Sequence, residues 1–217
     1  RAGRENRRGR LARRERAGGP GGGEAMTEFV LERRQVVATL LSDPGEMLVI
    51  SGLGSTTYDV AAAGDRPLNF YLWGAMGAAA MIGLGLALAR PSRRVLVLTG
   101  DGEALMGLGA LATIAATAVG NLAIAVLDNG RYGETGAQVS HTALGTDLAA
   151  AAAACGWQAS VTVSRQDELQ ELRVRLRSEP LFAVVKIAAT EPHRVLPARD
   201  GAFLQHRFRA ALGIMQD

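Results

Sequence analysis

The chain has 217 residues, enough to bury a full core in one or at most two domains. Its 48% hydrophobic and 21% charged residues are ordinary for a globular protein, while 5% aromatics and 27 glycines favour close helix-on-sheet packing over an aromatic binding surface. The net charge of +3 misdescribes the body: the first 25 residues hold eight arginines and three glutamates, a net +5, leaving −2 elsewhere and excluding a protein-wide nucleic-acid surface.

Residues 1–25 lack apolar periodicity and end in Gly18-Gly19-Pro20-Gly21-Gly22-Gly23. They read as a disordered basic extension, or as sequence upstream of a start at Met26, in preference to a basic arm for nucleic acid or an acidic membrane. No apolar stretch of signal-peptide kind follows the arginines, so neither general secretion nor twin-arginine export is expected. Residues 26–217 read as one domain.

From Met26 the pattern alternates helix and strand. Thr27 to Leu41 has helical apolar spacing through Phe29, Val30, Val36, Val37, Leu40 and Leu41. Met47–Ser51 is a short buried strand ended by glycines, a helix follows over Thr56–Ala63, and Asn69–Trp73 has strand character. Arg94–Thr99, Leu122–Leu127 and Leu181–Ile187 read as parallel strands, with helices expected at Ala104–Ala118, Asp147–Cys155, Gln166–Arg177 and Gly201–Leu212. This order predicts an α/β fold, a doubly wound and mostly parallel sheet with helices on both faces.

Leu72–Ala89 is an uninterrupted apolar run of about membrane-spanning length, followed by Arg90, Arg93 and Arg94. Its glycines, Gly74, Gly77, Gly83 and Gly85, suit a helix sunk between a sheet and a partner subunit better than a lone span. Cys155 has no second cysteine to pair with, which fits a reducing cytoplasm, and its alanine-rich surroundings predict a buried, inert thiol at a helix end.

Two segments carry chemistry. Thr99-Gly100-Asp101-Gly102 follows one strand, and Asp128-Asn129-Gly130-Arg131-Tyr132-Gly133 follows the next. Both fall at carboxyl ends of strands, where ligands bind in parallel sheets, and strands joined by one crossover tend to be neighbours. Asp101 and Asn129 are thus placed to face one another across a crevice. A carboxylate, an amide oxygen and a main-chain carbonyl form a hard oxygen set suited to Mg2+. Gly100 and Gly102 admit a diphosphate to the backbone, and a helix beginning near Ala104 directs its N-terminus at that charge. Each motif alone is also a common tight turn; together, at this spacing, they specify a magnesium-bridged diphosphate.

The Gly100-Asp101-Gly102 and Asn129 pair resembles the signature of thiamine-diphosphate enzymes. The resemblance implies magnesium held by the side chains of Asp101 and Asn129 and the main-chain carbonyl of Arg131, with Tyr132 and Gly133 also at the cofactor. Two positions depart from the family pattern. Asp128 stands where the first Asn of a pair is usual, and Glu103 stands where many relatives place Ser beside the diphosphate. Glu103 is therefore expected in the site with its side chain turned away. Trp73-Gly74-Ala75-Met76-Gly77 is similar to the segment that holds the aminopyrimidine. Met76 is implied to wedge the cofactor into its bent shape, and the Gly74 carbonyl to accept from the 4′-amino group, though a gap-filling methionine reads the same way. Ser55 and Thr56, in Gly52-Leu53-Gly54-Ser55-Thr56, are implied contacts, with helix capping as the alternative. The loop from Gly133 to Thr142 is implied to overhang the cofactor, with His141 and Arg131 facing substrate.

In this family a glutamate from a second domain protonates the pyrimidine. No such domain is encoded here, since Glu28 and Glu32 fall on an amphipathic helix instead of a strand end. With the short chain and the run Asn69-Phe70-Tyr71, Gly74-Ala75-Met76-Gly77, Leu127-Asp128-Asn129-Gly130, Tyr132-Gly133 and Thr135-Gly136, this narrows the resemblance to the β subunits of sulfopyruvate decarboxylases and the C-terminal half of phosphonopyruvate decarboxylases. The resemblance implies a cytoplasmic hetero-oligomer that uses thiamine diphosphate and Mg2+ to decarboxylate a small anionic 2-oxo acid, with a pyrimidine-binding partner subunit supplying the glutamate. The competing readings are a thiamine-dependent carboligase, a 2-oxo acid oxidoreductase subunit, and a non-catalytic nucleotide-binding module built on Gly52–Thr56.

Overall fold

The computed structural model describes residues 31–214. In chain order the elements are α1 (Arg33–Leu40), β1 (Leu48–Ser51), α2 (Ser55–Ala63), β2 (Asn69–Tyr71), α3 (Ala79–Ala89), β3 (Val95–Gly100), α4 (Asp101–Met106) and α5 (Ala110–Thr117). They continue with β4 (Leu122–Asp128), β5 (Arg131–Tyr132), β6 (Gln138–Val139), α6 (Leu148–Ala154), β7 (Ser160–Val163), α7 (Leu169–Ser178), β8 (Leu181–Lys186) and α8 (Gly201–Ala211). Six strands form one parallel sheet in the order β2-β1-β3-β4-β8-β7, and β5 pairs antiparallel with β6 as a small separate ribbon.

The pleat divides the apolar side chains between two cores. Leu96 and Leu98 of β3 face one core, with Val36 and Leu40 of α1, Val60 of α2 and Leu169, Leu172 and Leu176 of α7. Val95 and Val97 face the other, with Leu84 of α3, Leu111 and Ile114 of α5 and Leu148 of α6. Helix α8 closes the β2 edge and contributes Leu204 to the first core and Phe208 to the second. This is the doubly wound α/β domain expected from the strand–helix alternation.

Several boundaries differ from the sequence reading. The helix expected over Ala104–Ala118 is two helices, α4 and α5, with Gly107–Gly109 between them. Gly107 lies against the backbone of Gly77, where an added Cβ would sit 2.4 Å from the Gly77 carbonyl oxygen, and this crossing interrupts the helix. Helix α4 starts at Asp101, so the Gly-Asp-Gly turn is itself the helix entry. The long apolar run contains only the 11 residues of α3, and no helix among the described residues is long and apolar enough to cross a membrane. Gly83 is sunk into the sheet, with no room for a Cβ beside Val97.

Edge strand β7 went unread because Ser160-Val161-Thr162-Val163 is half-exposed and lacks an apolar run. Cys155 caps the end of α6 but is half-buried instead of fully enclosed. Of the helix expected from Thr27, the described part begins at Arg33, with Glu32 at its N-cap. Glu28 and the expectation of disorder over residues 1–25 lie outside the described residues.

Candidate cofactor site

The register Gly100↔Leu127 puts the end of β3 beside the end of β4. Asp101 therefore enters α4 directly next to Asp128 and Asn129. A cleft, open at its mouth, lies over these strand ends. Ser55, Thr56, Met76, Gly100, Asp101, Gly102, Glu103, Asn129, Arg131, Tyr132 and Gly133 all line it. Gly74 and Ala75 are exposed beside Met76 and are not among its lining residues, and neither is His141. His141 is exposed, with Nδ1 3.4 Å from the Tyr132 hydroxyl.

Asp101 is 2% exposed. The Ser140 hydroxyl donates to its Oδ2, and the Thr142 hydroxyl reaches the same oxygen at 3.3 Å. Burial pushes the Asp101 carboxyl up, as does the neighbouring charge of Asp128, while the Ser140 and Thr142 bonds oppose the shift. Asp128 accepts from Gly130 N at 3.0 Å and Thr142 Oγ1 at 2.7 Å, and its other oxygen pairs with the Lys186 ammonium. Lys186 sits opposite it in the β4–β8 register, so the carboxylate standing in place of an amide has its counter-charge built into the next strand. Asn129 Oδ1 accepts from Arg131 N at 2.9 Å, an Asx turn that aims residues 129–131 along the cleft.

The glycines differ in purpose. A Cβ on Gly100 would meet only open space, so this residue leaves the cleft floor bare at its backbone. A Cβ on Gly102 would sit 2.6 Å from the Tyr132 ring, which packs over it. A Cβ on Gly52 would collide with the Glu103 carboxylate. The Glu103 carboxylate accepts from Leu53 N at 3.1 Å, Thr99 Oγ1 at 3.0 Å and Ala79 N at 3.2 Å. Burial pushes its carboxyl up and these donors pull it back.

Four side chains at the site carry no motif: Ser140, Thr142, Lys186 and Arg33. Arg33 is 4% exposed, pairs with the fully buried Asp59 at 3.0 Å, and lines the cleft from α1. Burial pushes the Asp59 carboxyl up despite Arg33 and Arg34 beside it. Of the four, only Lys186 leaves a trace in the sequence, as a charge closing an apolar strand.

The oxygen donors suit a magnesium ion bridging a diphosphate. No group of three or more His, Cys, Asp or Glu among the described residues is placed to hold a metal. A cation here would rely on one carboxylate, an amide, a carbonyl and the ligand's own phosphates, the habit of Mg2+.

Residues 52–187 match the family described as thiamine pyrophosphate enzyme, C-terminal TPP binding domain. The chain belongs to this family. Among curated thiamine pyrophosphate enzymes it is 44% identical over 164 residues to a phosphonopyruvate decarboxylase of Streptomyces hygroscopicus, spanning 76% of this chain but only 39% of that relative. It is 39% identical over 159 residues to the sulfopyruvate decarboxylase subunit beta of Methanothermobacter thermautotrophicus, 73% of this chain and 83% of the relative. Among solved structures, benzoylformate decarboxylase from Polynucleobacter necessarius superposes with a TM-score of 0.63 at 21% identity, over 81% of this chain and 36% of that one, a likeness of fold. The match thus spans about two fifths of the phosphonopyruvate decarboxylase and most of the sulfopyruvate decarboxylase subunit beta.

Proposed function

We propose that this chain is the diphosphate- and magnesium-holding subunit of a thiamine-diphosphate-dependent decarboxylase acting on a 3-substituted pyruvate of the phosphonopyruvate or sulfopyruvate type. The observation that carries the proposal is the pairing of Asp101 and Asn129 at adjacent strand ends in one cleft, in a chain that spans most of a β subunit.

In this reading Asp101, Asn129 and the Arg131 carbonyl hold Mg2+. Gly100 and Gly133 leave room at the backbone for the diphosphate, Gly102 admits the Tyr132 ring beside it, and Ser55 and Thr56 close the site from the β1 side. Met76 supports the cofactor's bend, with Gly74 and Ala75 shaping its approach. Bound thiamine diphosphate supplies a nucleophilic carbon and an electron sink for loss of CO2. Ser140 and Thr142 orient the Asp101 carboxylate, and a divalent cation would oppose the upward push that burial gives its carboxyl.

A partner subunit completes the site by supplying the glutamate that protonates the pyrimidine. Glu103 is the only fully buried glutamate among the described residues, and its oxygens are already taken by donors on this chain. A second cleft shares Ser55, Asn129, Arg131 and Gly133 with the first and adds His193 and Arg194. Its arginines, Arg194 beside Glu134 at 3.7 Å, suit an anionic substituent on the substrate, and His141 is assigned to the same substrate. The complex is assigned to the cytoplasm, in keeping with the lone Cys155. The Gly52–Thr56 loop does not favour a nucleotide-binding module, because Glu103 fills the space that Gly52 leaves.

Calorimetry on the complex of both subunits tests the cofactor assignment. Thiamine diphosphate is expected to bind only with magnesium present, and NAD not at all; NAD binding without magnesium-dependent thiamine diphosphate binding would sink it.

A further inference from the structure

Glu103 joins three chain segments that are distant in sequence, and each borders the cofactor cleft. Its Oε2 accepts from Leu53 N in the loop after β1 and from Thr99 Oγ1 at the end of β3. Its Oε1 accepts from Ala79 N at the start of α3. Ser55 and Thr56 follow the first contact, Gly100 and Asp101 the second, and Met76 precedes the third.

Two other features show that the fold is arranged around this carboxylate. A Cβ on Gly52 would sit 1.9 Å from Glu103 Oε2, so no side chain at position 52 coexists with Glu103 in place. Ala75 holds φ +58° and Gly77 φ +89°, a left-handed course that an alanine adopts only when its surroundings enforce it. The enforcing contacts follow directly: the Glu103 carboxylate on the Ala79 amide, and the Gly107 backbone against Gly77. Met76 immediately precedes these restraints, exposed at the cleft wall.

We propose that Glu103 is a positioning residue, which sets the distance from Asp101 to the Met76 segment and to the Gly52–Thr56 loop. The proposal rests on the thiamine diphosphate reading above. A carboxylate suits the task because both its oxygens accept, three donors in all, whereas an amide offers one accepting oxygen. The diphosphate end of the cofactor and its ring end are then gripped by one rigid unit, although their contacts come from separate segments.

The test compares two ligands on the complex of this chain with its partner subunit. Magnesium with inorganic diphosphate engages only the Asp101 and Asn129 end, whereas magnesium with thiamine diphosphate spans both ends. Glu103→Ala is expected to weaken thiamine diphosphate about tenfold and inorganic diphosphate less than about twofold. Glu103→Gln keeps one acceptor and is expected to fall between wild type and Glu103→Ala, and Gly52→Ala to reproduce the same selective loss by displacing the carboxylate. Should Glu103→Ala fail to fold, Glu103→Gln and Gly52→Ala decide the matter. Equal loss of both ligands, or unchanged binding of both, would overturn the proposal. If the wild-type complex binds neither ligand, the cofactor reading falls and this proposal falls with it.

Discussion

Ser140 donates a hydrogen bond to the buried carboxylate of Asp101, 39 residues earlier in the chain. Thr142, two residues on, bridges Asp101 and Asp128 and also bonds Ser140 at 2.8 Å. The β5–β6 ribbon thereby delivers the groups that orient the candidate metal ligand. Residues of this kind behind a metal site alter affinity by about 10- to 100-fold when removed. Ser140→Ala and Thr142→Ala are expected to raise the magnesium concentration for half-maximal thiamine diphosphate binding by about tenfold or less each, read by calorimetry across a magnesium series.

Removing the ligands themselves should be more severe. Asp101→Ala and Asn129→Ala are expected to abolish magnesium-dependent cofactor retention while leaving the far-ultraviolet circular dichroism and the partner complex unchanged. Retained cofactor in either variant would refute the metal assignment.

The Asp128–Lys186 pair is an internal compensation, with Asp128 almost fully buried and Lys186 partly so. Truncating the cation strands a buried carboxylate, so Lys186→Met is expected to cost about 2–3 kcal/mol in urea unfolding, below the range for fully buried pairs because Lys186 is partly solvated. Adding Asp128→Asn to Lys186→Met should recover at least half of that loss, since no charge is then left unpaired.

Helix α3 offers a paired prediction. Gly83 has Val97 Cγ2 2.3 Å from an added Cβ, whereas Gly85 meets nothing within 4 Å. Gly83→Ala is expected to destabilise by about 1–3 kcal/mol through overpacking. Gly85→Ala should stabilise by about 0.5–1 kcal/mol through helix propensity. Thermal unfolding of the two variants, shifting in opposite directions, checks the depth assigned to α3.

Arg207 fastens α8 to the sheet edge through a two-pronged contact with Asp65, at 2.7 and 3.1 Å, and Tyr71 adds a bond at 2.8 Å. Partial burial pushes the Asp65 carboxyl up, but the Arg207 and Tyr71 bonds outweigh it and hold it below its ordinary 3.8. A depressed carboxyl adds stability above its unfolded value, and that contribution is lost as pH falls through the folded value. Asp65→Asn is expected to cost about 0.5–1 kcal/mol at neutral pH, discounted for exposure. The gap to wild type should close below the ordinary aspartate range.

The parts of the fold legible in the sequence are those whose residues answer to a local rule. β1, β3, β4 and β8 are apolar runs because both their faces are covered. Gly100-Asp101-Gly102 and Asn129 were readable because chemistry-bearing residues abut such runs. The split between α4 and α5 was not, because Gly107 breaks the helix through contact with Gly77, and one glycine in a helical pattern does not announce that. β7 was missed because an edge strand needs no apolar alternation to pair with β8. Ser140, Thr142 and Arg33 stayed invisible because their roles come from contacts between positions 14 or more apart in the chain. The departure at Glu103 was visible as an oddity; only the packing of Gly52, Thr99 and Ala79 around it shows where its carboxylate goes.

The central claim is a decarboxylase site shared between two chains, and CO2 release measures it most directly. The chain and its partner, purified separately and then combined with thiamine diphosphate and Mg2+, would be given phosphonopyruvate, sulfopyruvate and other 3-substituted pyruvates. CO2 is expected only when both chains, the cofactor and the metal are present. Release by this chain alone, or none by the complex with any of these acids, would contradict it.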